Sequence, residues 1–193
     1  MLIKRLLYYS YEKLLERGVK KNKMPTHLGL ILDGNRRYAK EMGYDDLTIG
    51  HKLGAKKLDD VLQWCNDLDI KIITIWVFST ENIQRNKEEV EALLNVIQEK
   101  IVELTKSPVI KKNGFKIKAL GKMDALPDSL KSVIKNAEAS TKNNTKHILN
   151  IAIGYGGREE IVEAVRKVIR EKRVDSIEEL ANDDSDDFYE EMQ

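Results

Sequence analysis

A carboxylate, a glycine, an amide and two arginines stand together at Asp33-Gly34-Asn35-Arg36-Arg37. They follow the short apolar run His27-Leu28-Gly29-Leu30-Ile31-Leu32 and lead into a helical pattern from Arg36 to Met42. That order predicts a strand-to-helix turn, with backbone N–H groups at a helix N-terminus facing outward as an anion site. The guanidinium forks of Arg36 and Arg37 suit phosphate oxygens. Asp33 would repel a bare phosphate, so a carboxylate here makes sense where Mg²⁺ joins it to the phosphate, an ion that takes one or two carboxylates plus phosphate oxygens and water. The plainer alternative is an Asp-Gly-Asn turn whose arginines are surface charge. Neither a Gly-x-x-x-x-Gly-Lys-Ser/Thr loop nor a Gly-x-Gly-x-x-Gly fingerprint occurs, which leaves a P-loop nucleotidase or a dinucleotide enzyme poorly supported.

Two more polar clusters close apolar runs. Lys71 to Phe78 ends at Ser79-Thr80-Glu81-Asn82, and His147 to Ile153 runs into Gly154-Tyr155-Gly156-Gly157-Arg158. In an open parallel sheet, ligands bind beyond the carboxyl ends of the strands, where all three clusters would lie. The elements that would position them alternate along the chain. Helical spacing covers His51 to Leu68, a long stretch from Lys87 with Val90, Leu93, Leu94, Ile97, Ile101 and Leu104 on one face, Leu126 to Ala139, and Arg158 to Glu171. Phe115 to Leu120 reads as a further strand. Strands alternating with such helices predict an α/β fold: a single domain with a mostly parallel central sheet, flanked by helices and covered on both faces.

The chain has 193 residues, 41% hydrophobic and 34% charged, enough for one domain with a real core and unlike a collagenous or wholly disordered chain. No run of about 18 apolar residues occurs, so no helix spans a bilayer. The single cysteine, Cys65, cannot form an internal disulfide and fits a reducing, cytoplasmic setting. A net charge of +1 gives no global case for nucleic acid as a partner. That near-zero total covers two charged ends. Residues 1–23 carry seven basic side chains against Glu12 and Glu16, with Leu6, Leu7, Leu14, Leu15, Tyr8, Tyr9 and Tyr11 at helical spacing. Such a basic amphipathic helix either packs on the domain it precedes, the plainer reading, or lies on an anionic membrane surface. The expected division is this helix at 1–23, an α/β domain at 24–182, and an acidic, solvated tail at 183–193.

The blocks resemble a known family in order and spacing. His27 to Lys40 resembles the signature of the cis-prenyltransferases, the undecaprenyl diphosphate synthase family. Gly50-His51-Lys52-Leu53-Gly54, then Phe78-Ser79-Thr80-Glu81-Asn82 with Arg85, and Leu149-Asn150-Ile151-Ala152 with Tyr155-Gly156-Gly157-Arg158 are similar to its next three blocks. The basic, Tyr- and Leu-rich lead-in looks most like archaeal and eukaryotic members. The resemblance implies condensation of isopentenyl diphosphate with an allylic prenyl diphosphate, with Mg²⁺ as cofactor, to give a polyprenyl diphosphate.

Residue by residue, the resemblance implies that Asp33 holds Mg²⁺ against the allylic diphosphate, which Gly34, Asn35, Arg36 and Arg37 cradle, with Tyr38 beside the reacting chain. His51, Ser79, Thr80, Glu81 and Arg85 match substrate-binding positions. Asn82 matches a position sometimes labelled proton acceptor; a neutral amide is a very poor base, so an orienting role is expected, with a phosphate oxygen taking the proton. The Leu58/Val61/Leu62 and Val90/Leu93/Leu94/Ile97/Ile101 stripes are either walls of a product channel or ordinary core-facing helix faces.

The sequence also departs from the family. Leu47 stands where bacterial members often carry an arginine, and Ile83 where a tryptophan is frequent. The family's C-terminal Arg-x-Ser-Gly-Glu block, implied to bind isopentenyl diphosphate and Mg²⁺ and to assist dimerisation, does not occur before Gln193. Weak binding of isopentenyl diphosphate is therefore expected. A second function class stays open: a non-catalytic or truncated homologue that binds prenyl diphosphate, or a partner subunit. Homodimers, heterodimers with a homologue and peripheral membrane contact are the expected associations.

Overall fold

The apolar runs become four parallel strands. In the computed structural model, which describes residues 2–172, β1 (His27–Ile31), β2 (Ile72–Ser79), β3 (Phe115–Leu120) and β4 (His147–Tyr155) pair in the order β1-β2-β4-β3. Every pairing is parallel, with Leu30 opposite Ile75 and Ile75 opposite Ile151. The helices are α1 (Leu2–Val19), α2 (Asn35–Glu41), α3 (Thr48–Asp67), α4 (Lys87–Lys106), α5 (Pro108–Asn113), α6 (Asp128–Thr141) and α7 (Gly157–Lys172). Parallel strands need crossovers, and α3, α4 and α6 are among the segments that make them.

One row of each strand carries the core. Ile73, Ile75, Ile117, Leu149 and Ile151 are buried against Leu58 and Leu62 of α3, Leu93, Ile97 and Ile101 of α4, and Leu130 and Ile134 of α6. The alternate row is different. Trp76 is 37% exposed and Ile31 70%, and the row also carries Thr74, Asn150 and Lys118. Thr74 Oγ1 accepts from Asn150 Nδ2 at 3.1 Å and lies 2.8 Å from His27 Nε2. The expected cover on both faces is thus corrected among the described residues: the apolar core lies on one face. The cause is visible in β3, where Phe115-Lys116-Ile117-Lys118 alternates as a half-buried strand does.

Local chemistry fixes the helix ends. Asn86 caps α4 by accepting from the Glu88 backbone N–H at 2.9 Å, with Glu88 and Glu89 in its first turn and Lys106 in its last, as the helix dipole favours. The short α5 was not expected, although Ser107 caps it, Pro108 opens it and Gly114 at φ 66° stops it.

α1 is helical as expected, but its apolar side chains stay in solvent: Leu6 is 67% exposed and Leu14 70%. The reading in which this helix packs on the domain is therefore corrected. No helix among the described residues is long and apolar enough to cross a membrane. The acidic stretch at 183–193 lies outside the described residues.

Candidate active site

Beyond the carboxyl end of β1, Leu32 and Asp33 lead into Gly34, whose φ of 84° turns the chain sharply into α2. A left-handed residue at this point is natural only for glycine. Asp33 Oδ1 accepts from the Gly34 backbone N–H, and Asn35 Nδ2 donates to the Leu32 carbonyl at 3.2 Å. The turn is thus braced by the two side chains that flank the glycine.

The Gly50-His51-Lys52-Leu53-Gly54 block then shows its purpose. A Cβ on Gly50 would stand 2.1 Å from the Asn35 carbonyl oxygen, and one on Gly54 2.5 Å from Asn35 Oδ1. Only glycines let α3 approach the turn this closely, and that approach carries His51 to its edge. His51 Nε2 is buried and has no hydrogen-bond partner among the described residues. Burial foremost, then the Arg85 cation, hold its pKa below the ordinary histidine value, with Glu89 pulling the other way and Arg36 adding to the depression. The ring is neutral at pH 7.

Arg36 and Arg85 converge on one carboxylate. Glu89 Oε1 of α4 accepts from Arg36 Nη1 at 2.8 Å and from Arg85 Nη1 at 3.1 Å. Arg37 is looser, 72% exposed and 3.7 Å from Asp33 Oδ2. These groups rim a cavity of about 440 Å³. Asp33, Gly34, Asn35, Arg36, Arg37, Lys40, His51, Asn82 and Arg85 form its polar part; Leu58, Leu93, Ile97, Ile101 and Leu104 line its apolar part. The two stripes read from the sequence are partly channel wall and partly core: Leu58, Leu93, Ile97 and Ile101 border the cavity, whereas Val61, Leu62, Val90 and Leu94 are not among its lining.

Not every expected residue reaches this cavity. Ser79, Thr80 and Glu81 are absent from its lining, as is Tyr38, which is 45% exposed. Ser79 and Asn82 instead cap the 3₁₀ turn Thr80–Gln84 reciprocally: Ser79 Oγ accepts from the Asn82 N–H at 3.2 Å, and Asn82 Oδ1 from the Ser79 N–H at 2.9 Å. With its carbonyl oxygen turned to the Ser79 N–H, Asn82 keeps its amide N–H donors available to a ligand. Thr80 Oγ1 packs where a side chain on Gly156 would stand.

Glu89, Lys40 and Lys100 were missed. Glu89 had a signal, an acidic side chain four positions after Arg85 at the start of α4, and Lys40 follows Arg37 by one turn.

The donor set decides what metal could bind. No group of three or more His, Cys, Asp or Glu side chains among the described residues could enclose an ion. Asp33 is a lone carboxylate with 81% of its side chain exposed beside the arginines. That arrangement fits Mg²⁺ held jointly by one carboxylate, a phosphate and water.

Comparisons with known proteins agree with this geometry. The family model described as "Putative undecaprenyl diphosphate synthase" matches residues 31–193. A tritrans,polycis-undecaprenyl-diphosphate synthase (geranylgeranyl-diphosphate specific) of Methanopyrus kandleri is 42% identical over 168 residues, covering 87% of this chain and 62% of that protein. An isoprenyl transferase of Thermus thermophilus is 43% identical over 169 residues, 88% of this chain and 64% of that protein. This chain thus spans somewhat under two thirds of the length of these relatives. Among solved structures, lavandulyl diphosphate synthase from Lavandula x intermedia, in complex with dimethylallyl diphosphate, superposes with a TM-score of 0.73 at 30% identity, covering 86% of this chain and 70% of that one. Sequence blocks, sheet, polar-mouthed cavity and relatives converge: this chain belongs to the undecaprenyl diphosphate synthase family, the cis-prenyltransferases.

Proposed function

We propose that this chain carries the allylic-diphosphate site of a Mg²⁺-dependent cis-prenyltransferase, which condenses isopentenyl diphosphate with an allylic prenyl diphosphate. One observation carries the reading: a mouth lined by Arg36, Arg37 and Arg85 opens into an apolar cavity of about 440 Å³, a match for a charged head joined to a hydrocarbon tail. The arginines bind the diphosphate through charge-assisted forks and stabilise the negative charge that grows as its bond to the allylic carbon breaks. Asp33 would hold Mg²⁺, which would supply positive charge that makes the diphosphate a better leaving group. His51, neutral and without a partner among the described residues, supplies a ring nitrogen to the bound head. Asn82 orients through its amide N–H groups. The new bond joins the allylic carbon to the terminal alkene carbon of isopentenyl diphosphate, and the proton released passes to a phosphate oxygen. The apolar walls hold the tail and keep water from the developing cation.

Two measurements test this. The chain should bind geranylgeranyl diphosphate, the primer named for the M. kandleri relative, in a calorimeter with Mg²⁺, and should incorporate radiolabelled isopentenyl diphosphate onto it slowly, in keeping with the weak isopentenyl diphosphate binding expected from the sequence. Asp33→Ala should abolish incorporation while leaving the chain folded, because its side chain is 81% exposed. Full activity of Asp33→Ala, or no binding by the unmodified chain, overturns the assignment.

A further inference from the structure

The block Tyr155-Gly156-Gly157-Arg158 ends β4 and does not line the cavity, yet its two adjacent glycines answer to different demands. Neither has the left-handed backbone that by itself calls for glycine. A Cβ on Gly157, the first residue of α7, would meet nothing within 4 Å. One on Gly156 would stand 2.6 Å from Thr80 Oγ1, whereas Thr80 Cγ2 and Cβ lie at 3.6 and 3.7 Å. A single oxygen atom therefore keeps this position for glycine.

The surroundings decide which side of that contact would yield. Tyr155 pairs with Ser79 across the β2–β4 ladder, so Thr80 and Gly156 are the next residue on each strand. On its other flank the end of β4 is pinned. The Lys122 N–H donates to the Gly154 carbonyl at 3.2 Å, and a Cβ on Gly154 would stand 2.9 Å from the Lys122 carbonyl oxygen. β4 has no room to draw back, and the β-branched Thr80 is stiff at χ1. To reach ordinary contact with a methyl at position 156, Thr80 has to retreat by about 0.8 Å. It opens the 3₁₀ turn Thr80–Gln84, whose ties run in series. Ser79 and Asn82 hold each other, the Arg85 N–H donates to the Asn82 backbone carbonyl at 3.2 Å, and Arg85 reaches Glu89 at the mouth.

We propose that Gly156 is a positioning residue of the diphosphate site, letting Thr80 sit where the turn sets Asn82 and Arg85 at the mouth; the proposal rests on the reading of that mouth as a diphosphate site. A displaced Thr80 carries the turn with it. The Asn82 amide and the Arg85 guanidinium then lose alignment with a bound head, and hydrogen bonds weaken steeply away from good geometry.

A double-mutant cycle on the full 193-residue chain tests this, read by calorimetry with inorganic diphosphate and with geranylgeranyl diphosphate in Mg²⁺ buffer. Gly156→Ala should lower affinity for both by roughly tenfold, the effect of losing about one charge-assisted contact. In the Thr80→Ala background, where the intruding oxygen is gone, the same change should cost less than about twofold. Gly157→Ala should leave affinity and melting temperature as they are; a loss matching that of Gly156→Ala overturns the proposal. So does unchanged affinity in folded Gly156→Ala, or an equal loss in both backgrounds. Should Gly156→Ala fail to fold, its pair with Thr80→Ala decides. A folded pair that binds as Thr80→Ala alone does upholds the proposal, and an unfolded pair overturns it. An unmodified chain that binds neither ligand overturns the site reading itself, and the proposal with it.

Discussion

Glu89 is the residue on which the arginine cluster can be tested before any substrate is added. Its Oε1 accepts from both Arg36 and Arg85, at 2.8 and 3.1 Å. The side chains are 30–42% exposed, so each ion pair is worth about 0.5–1 kcal/mol rather than the value of a dry one. Glu89→Gln forfeits about 1–2 kcal/mol on that count. It also leaves two guanidinium groups within about 6 Å of each other, a repulsion of roughly 3 kcal/mol at an effective dielectric constant near 20. Both side chains can swing toward water and shed most of that, so a net loss of about 2 kcal/mol is expected. For a chain of this size the melting temperature should fall by about 4–8 °C. An anion placed between the arginines should then restore what the carboxylate supplied. Inorganic diphosphate should raise the melting temperature of Glu89→Gln by several degrees more than that of the unmodified chain. Scanning calorimetry with and without diphosphate reads both effects. If Glu89→Gln melts normally, the carboxylate does not hold the arginines; if diphosphate stabilises both proteins equally, the cluster is not where the anion binds.

Other perturbations separate the remaining parts. Arg37, 72% exposed and only loosely paired, should be replaceable by alanine with no loss of stability, but affinity for an allylic diphosphate should fall tenfold or more as a charge-assisted fork worth about 1.5–3 kcal/mol is lost; equal affinity in calorimetry would remove Arg37 from the cradle. His51 and His147 both have pKa values depressed chiefly by burial. Below about pH 6.5 the unfolded chain takes up protons that the folded one resists, so stability should fall as the pH drops from 7.5 toward 5.5; a urea midpoint that holds or rises over that range contradicts it. The solvent-facing Leu6, Leu7, Leu14 and Leu15 of α1, in a basic segment, should bring the protein down with anionic but not zwitterionic vesicles. Leu7→Glu with Leu14→Glu should release it, and equal sedimentation of the double variant would exclude α1 as the contact.

What the sequence disclosed, and what it hid, divide along one line. Groups close together in the chain were legible: the Asp33–Arg37 turn, the strands that deliver it and Asn82, and β3 to the residue. Contacts made through space were not. Arg36 and Glu89 are 53 positions apart, and nothing in either segment names the other. Gly50 and Gly54 looked like company for His51, when their task is to admit the backbone and side chain of Asn35. Ser79 and Asn82 form a Ser-x-x-Asn pattern that could serve a ligand or cap a turn, and the structure uses it for the cap.

The apolar half of the site shows the same limit most sharply. Leu93, Ile97, Ile101 and Leu104 are each no more than 7% exposed and also border the cavity, so they are core and channel at once. Helical periodicity reports which side chains leave water, and a side chain facing a neighbour leaves it as fully as one facing an enclosed void. Whether a void remains depends on side-chain volumes from α3, α4, β2 and β4 meeting across the domain, a sum that no single segment contains.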